Sequence, residues 1–147
     1  MKIKAFVFAL LASLFVLASC GDDDSFNPNT VPDAAKTVFA EKYPGVSATW
    51  ENENGMFKAE FVSSDGYEAE AWFSPQGEWI MTDFDFTGTL PAAVTDYIAK
   101  TYPGYTVDKN DMLWVETFSG NHFELELEKK NSPDVYLKIK EDGTPLK

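Results

Sequence analysis

The residues with chemistry to offer are carboxylates at spacing two: Glu68 and Glu70, then Glu124, Glu126 and Glu128. On an extended strand this spacing puts each row on one face, where carboxylates can receive Ca²⁺ or share general-acid and general-base work. Such a row repels itself without counter-charge. Lys58, Lys138 and Lys140 are the natural cross-strand partners, so a solvated, ion-paired face is the simpler expectation. His122, the single histidine, lies in the polar phase beside Glu124 and Glu126. It is either a lone acid/base group or, more simply, an exposed strand residue. One histidine cannot supply the two or three imidazoles of a zinc site within a chain. No Gly-x-Ser-x-Gly elbow occurs, no glycine opens a helix as a phosphate cradle requires, and Asp22-Asp23-Asp24 lacks the spacing of an EF-hand loop. The expectation is a protein that is not an enzyme and carries no cofactor, metal or catalytic residue.

Charge narrows the partners. The 147 residues hold 12 basic and 24 acidic side chains, a formal charge of −12, and every basic residue is lysine. Phosphate backbones are repelled and the bidentate arginine reader is missing, which disfavours nucleic acid. A folded acidic face is equally unsuited to anionic lipid. The acidity either keeps the protein soluble or steers a basic partner.

Lys2 and Lys4 precede an apolar run from Ala5 to Ala18, 14 residues long, which ends in Leu17-Ala18-Ser19-Cys20. The run is shorter than the roughly 20 residues of a transmembrane helix, and Gly21-Asp22-Asp23-Asp24 follows at once. The pattern resembles a bacterial lipoprotein signal, with residues 1–19 removed and Cys20 carrying the lipid that reaches the membrane. Loss of Lys2 and Lys4 takes the formal charge to −14. Residues 20–30, with Asp, Ser, Asn and Pro and no periodicity, read as a flexible tether. The implied location is the cell envelope, lipid-anchored at the outer membrane on its periplasmic or outer side.

The remainder repeats itself. Pro32, Tyr43, Pro44 and Gly45 recur 59 residues later as Pro91, Tyr102, Pro103 and Gly104. Proline suits a helix start and disfavours helix at the residue before it, so the pattern predicts helices from Pro32 to Lys42 and from Pro91 to Thr101. Alternating runs then predict strands: Phe57, Ala59 and Phe61; Tyr67 to Phe73; a run around Glu78 to Asp83; Leu113 to Thr117; Phe123 to Leu127; and Val135 to Ile139. Short opening strands are expected near Ser47 to Trp50 and Tyr105 to Lys109. The expected fold is α+β, a tandem repeat of one helix followed by a four-stranded antiparallel sheet, with units at residues 31–88 and 89–147. Strand patterning leaves open whether the two sheets join.

Aromatic residues exceed what two short helices can cover. Trp72 is out of step with Ala71 and Phe73, which puts it in the polar phase of its strand. Either it packs between the copies or it stands on the open sheet face as an anchor for a partner, with Trp50 and Glu70 as further contacts.

The paired Tyr-Pro-Gly helix exits, the strand Glu68-Ala69-Glu70-Ala71-Trp72-Phe73, its counterpart Phe123-Glu124-Leu125-Glu126-Leu127, and Ala18-Ser19-Cys20 together resemble the PepSY-like, β-lactamase-inhibitor-like lipoproteins of Bacteroidetes. The resemblance implies the tandem fold and an extracytoplasmic lipoprotein, and no β-lactamase-contacting residue carries over. The function expected is non-catalytic binding of a protein or peptide through an aromatic-containing sheet face. The alternative is a small-ligand or metal-binding modulator of an envelope peptidase.

Overall fold

The computed structural model describes residues 26–147. The signal at 1–19, Cys20 and the tether as far as residue 25 lie outside the described residues, so the structure gives no support to a lipoprotein or membrane-anchored assignment. Among the described residues no helix is long and apolar enough to cross a membrane. The last residues of the expected tether are built into the fold. Pro28–Thr30 form a 3₁₀ turn capped by the Asn27 side chain, and Phe26 packs against the first core.

Helices α1 (Asp33–Lys42) and α2 (Ala92–Thr101) start immediately after Pro32 and Pro91 and end at Tyr43 and Tyr102, as the proline spacing predicts. Each buries a narrow stripe, Ala35 and Phe39 on α1 and Val94 and Ile98 on α2. The strands are β1 (Thr49–Glu53), β2 (Met56–Val62), β3 (Glu68–Phe73), β4 (Trp79–Asp85), β5 (Thr106–Thr117), β6 (His122–Glu128) and β7 (Val135–Ile139). They form one antiparallel sheet in the order β1-β2-β3-β4-β5-β6-β7.

This overturns the expected tandem of two units, each a helix with its own four-stranded sheet. Two local facts explain the difference. In the first half, Asn54 and Gly55 both take positive φ (54° and 84°), the geometry of a tight two-residue hairpin, so β1 turns back onto β2. The stretch Asp108-Lys109-Asn110-Asp111 has no glycine to do the same. The two strands expected at 105–109 and 113–117 therefore run on as the single 12-residue β5, with a register shift between Val107 and Met112 against one partner, β6. Beyond this, β4 pairs with β5 from Met81↔Thr117 to Asp85↔Leu113, which joins the halves into one ladder.

Side-chain alternation then assigns the two faces. One row crosses six strands as Phe61, Ala69, Phe84, Trp114, Phe123 and Ile139, and both helices lie on that side. The apolar residues there form two clusters. Ala35 and Phe39 meet Phe57, Phe61 and Phe73, and Val94 and Ile98 meet Leu125, Leu127 and Ile139. Helix α1 approaches closely enough that a Cβ on Gly77, which has φ +87°, would lie 2.8 Å from the Ala35 backbone nitrogen.

One ladder spanning both clusters implies one cooperative unit. Leu125→Ala, which empties a fully buried site, is expected to cost about 2–5 kcal/mol. It should lower the midpoint of a single urea transition that tryptophan fluorescence and far-ultraviolet circular dichroism report together. Two separated transitions would contradict a shared fold.

Candidate functional site

Among the described residues the opposite face carries no helix, yet much of it is buried. Across it run Glu60, Glu70, Asp83, Val115 and His122 in one row, and Glu51, Lys58, Trp72, Met81 and Thr117 in the next. Long side chains cover one another here. Lys58, Trp72, Asp83, His122, Glu124 and Glu126 are each at most 8 % exposed.

Lys58 is the hub of the first half. Its Nζ lies 2.8 Å from Glu60, 3.3 Å from Glu51, and 3.7 Å from both Glu53 and Glu70. Burial works against its charge, but the carboxylates, Glu60 and Glu70 foremost, outweigh it and hold the ammonium above the usual lysine range. The same Nζ sits 5.7 Å from the Trp72 ring centroid, and the Trp72 indole donates to Asp83 Oδ2 at 3.2 Å. Trp72 therefore lies on the helix-free face as its phase predicts, but at 5 % exposure it packs beneath lysine and is no free anchor. Glu70 shares this face and is partly exposed. Trp50 does not share it. It lies on the helix side, its ring centroid 5.7 Å from that of Phe39 and 5.3 Å from that of Phe73. Sequence alternation could not place Trp50, because the short edge strand β1 has no buried phase of its own.

Glu124 is the hub of the second half. Its Oε1 accepts from Lys138 Nζ at 2.6 Å and lies 3.2 Å from His122 Nε2, which must carry the proton if it is to donate to a carboxylate. Burial raises the Glu124 pKa, but His122 and Lys138 prevail and hold the carboxyl below its ordinary value. Glu124 Oε2 is buried and accepts no hydrogen bond from the described residues. His122 is thus a buried partner of Glu124 and not the exposed strand residue expected, because Val115 faces it across the ladder. Beyond this pair, Tyr136 donates to Glu126 Oε1 at 3.3 Å and stands 59 % exposed on this face. Carboxylate oxygens of Glu126, Glu128 and Asp134 lie within 4.8 Å of one another.

A second feature, which sequence reading missed, lies on the helix side. Where α1 ends and α2 begins, a cleft of about 540 Å³ opens over Phe84 and Trp114, with Tyr43, Tyr67 and Phe86 around it. Tyr43 donates to Thr82 Oγ1 at 2.7 Å. Burial is the main reason its phenol is pushed up to about 12, with the Glu116 charge adding to it against the Thr82 hydrogen bond. The signal was present in the equal phase of Phe84 and Trp114, but it means nothing until β4 is known to pair with β5.

The fold is one antiparallel sheet backed on one side by two helices, with ion-paired carboxylates on the other side. The chain belongs to the family described as "Putative beta-lactamase-inhibitor-like, PepSY-like", whose model matches residues 55–147. Among solved structures it is similar to a BLIP-like protein from Bacteroides fragilis NCTC 9343, with 25 % identity, coverage of 84 % of this chain and 86 % of that one, and a TM-score of 0.70. A DUF2874 family protein from Bacteroides ovatus ATCC 8483 matches with 22 % identity over 80 % and 86 % of the two chains, at a TM-score of 0.68. A structure from Bacteroides eggerthii DSM 20697 described as "putative periplasmic proteins" matches with 23 % identity over 80 % and 86 %, at 0.65. No curated protein matches the chain. The family and the likeness to the BLIP-like protein support a non-enzymatic role.

Two outcomes follow from the buried hubs. Glu124 contributes stability above the ordinary glutamate pKa, about 4.3, and loses it as pH falls through the lower folded value. Urea unfolding followed from neutral to acid pH should therefore show a shallower acid loss in Glu124→Gln than in the parent; identical slopes would mean that Glu124 is not held low. Trp72→Ala should cost roughly 3–5 kcal/mol, as for other buried large aromatics, and an unchanged unfolding midpoint would mean that Trp72 is in fact free.

Proposed function

We propose that this protein is a non-catalytic component of the periplasmic cell envelope that binds a protein or peptide through the helix-free face of its sheet. The observation that carries this reading is the face itself. It is seven strands wide and uncovered by either helix, and its acidic side chains outnumber Lys58 and Lys138. The description of the family as inhibitor-like and of one relative as BLIP-like supports binding over chemistry, and the periplasmic description of another supports the location. Of the residues expected to make contact, Glu70 keeps that role. Tyr136 replaces the tryptophans, because Trp72 lies beneath Lys58 and Trp50 is on the other side.

The acid excess favours a partner with a basic surface, which it attracts over about a Debye length, roughly 8–10 Å at moderate salt. Exposed carboxylates at the rim act mainly on the rate of encounter, while a half-exposed tyrosine supplies contact area at low entropic cost. A second reading, capture of a metal ion that modulates an envelope peptidase, has one observation in its favour, the approach of Glu126, Glu128 and Asp134. Calorimetry with Ca²⁺ and Zn²⁺ tests it directly, and no heat at millimolar metal would remove it.

For the main reading, the parent and a Glu60→Lys/Tyr136→Ala variant are compared in crosslinked pull-downs from periplasmic extract, with circular dichroism as the control for folding. A partner recovered by the parent and lost by the folded variant is the expected result. Equal recovery of every partner by both would rule out this face as the binding surface.

A further inference from the structure

The two apolar clusters do not close over the middle of the sheet. Phe84 packs at the margin of the α1 cluster and Trp114 at the margin of the α2 cluster, and the two are direct cross-strand neighbours. Above them, between the last turn of α1 and the approach to α2, lies the cleft of about 540 Å³. This volume falls within the range of small-molecule sites, about 300–1,000 Å³.

The lining has a particular chemistry. Phe84, Trp114, Tyr43, Tyr67 and Phe86 are each only partly buried, so their rings remain accessible from the cleft. Neighbours hold them in place: Tyr67 stacks on Phe86 with centroids 6.0 Å apart, Phe86 meets Phe123 at 5.1 Å, and Trp114 meets Phe123 at 4.8 Å. A fixed aromatic floor binds apolar bodies and attracts cations to its ring faces.

The charged groups of the lining are Asp65, Glu116, Glu141 and Lys42. Lys42 is already engaged, with its Nζ 3.9 Å from the Trp79 ring centroid and 3.8 Å from Glu116 Oε2. Three carboxylates against one committed ammonium leave the cleft negative.

We infer that this cleft is a binding site for a small organic cation with an apolar body, an aryl- or alkylammonium compound, whose body rests on Phe84 and Trp114 and whose charge meets Glu116 and Asp65. The site is on the side opposite the face proposed for protein binding, and neither depends on the other. An anion of the same shape meets the acidic rim and is rejected.

The test pairs two near-isosteric probes of opposite charge, 2-phenylethylammonium and 3-phenylpropionate. They are titrated into the full chain and followed by the indole N–H resonances and by calorimetry. Saturable binding of the ammonium that shifts the Trp114 indole, with about a tenfold preference over the carboxylate, is expected from charge and ring-face attraction combined. Glu116→Gln and Asp65→Asn are partly or fully exposed positions that leave the core intact, and each should weaken the ammonium several-fold. Trp114→Leu, checked for folding, should abolish binding. Equal affinity for both probes, ammonium binding that survives Trp114→Leu, or no saturable binding would overturn the proposal. So would binding of a lysine-bearing peptide without binding of the free ammonium. All these variants leave Glu60, Glu70 and Tyr136 untouched, so partner recovery through the other face serves as an independent control.

Discussion

The pairing of β4 with β5 is the constraint on which the rest of the structure depends. Five residues on each strand, Met81–Asp85 against Leu113–Thr117, convert two helix-and-strand segments into one seven-stranded sheet. Because side chains alternate, this ladder also fixes what meets on either side of it. Phe84 and Trp114 come together under the helices, while Asp83 and Val115 come together on the open face. A slip of β5 by one residue would turn Trp114 to the open face and part it from Phe84.

The open face shows how a sheet can bury charge without a covering layer. Each hub is one buried ionic side chain surrounded by opposite charges on neighbouring strands, Lys58 among carboxylates and Glu124 between a histidine and a lysine. Desolvation opposes both ions, and in both cases the neighbours outweigh it. Such hubs add less stability than an apolar face would, but they need particular partners at particular positions, and so they oppose register slips. They also leave the outer carboxylates and Tyr136 as the exposed groups of this face.

The helix side follows a different rule. Each helix is only 10 residues long and buries two residues, so each roofs mainly its own half of the sheet, with α1 meeting the central strand β4. The aromatic rings at the centre fill space that aliphatic side chains would otherwise close. The cleft is a direct consequence of short helices on a wide sheet. The fold thus presents two surfaces of different character, a broad acidic face and a compact aromatic pocket, within one non-enzymatic scaffold.

Much of this was legible in the sequence. The proline and Tyr-Pro-Gly spacings located both helices to within a residue, because proline acts on the backbone locally. Alternation located most strands, and the pairing of Lys58 and Lys138 with the carboxylate rows follows from charge and phase alone. What the sequence did not show was non-local. The missing hairpin glycine in residues 108–111 is legible, but the joining of the two short strands as β5 also needs a continuous partner in β6, which no local pattern announces. Trp72 had the right face with its exposure left open, because its cover comes from Lys58 on another strand; Trp50 was not placed on its face, because β1 is an edge without a pattern of its own. Local chemistry determined the elements and their faces. Only the tertiary structure decided which rows adjoin, and therefore where the open face and the cleft lie, because strand neighbours are chosen by the packing of the whole sheet and not by any one segment of it.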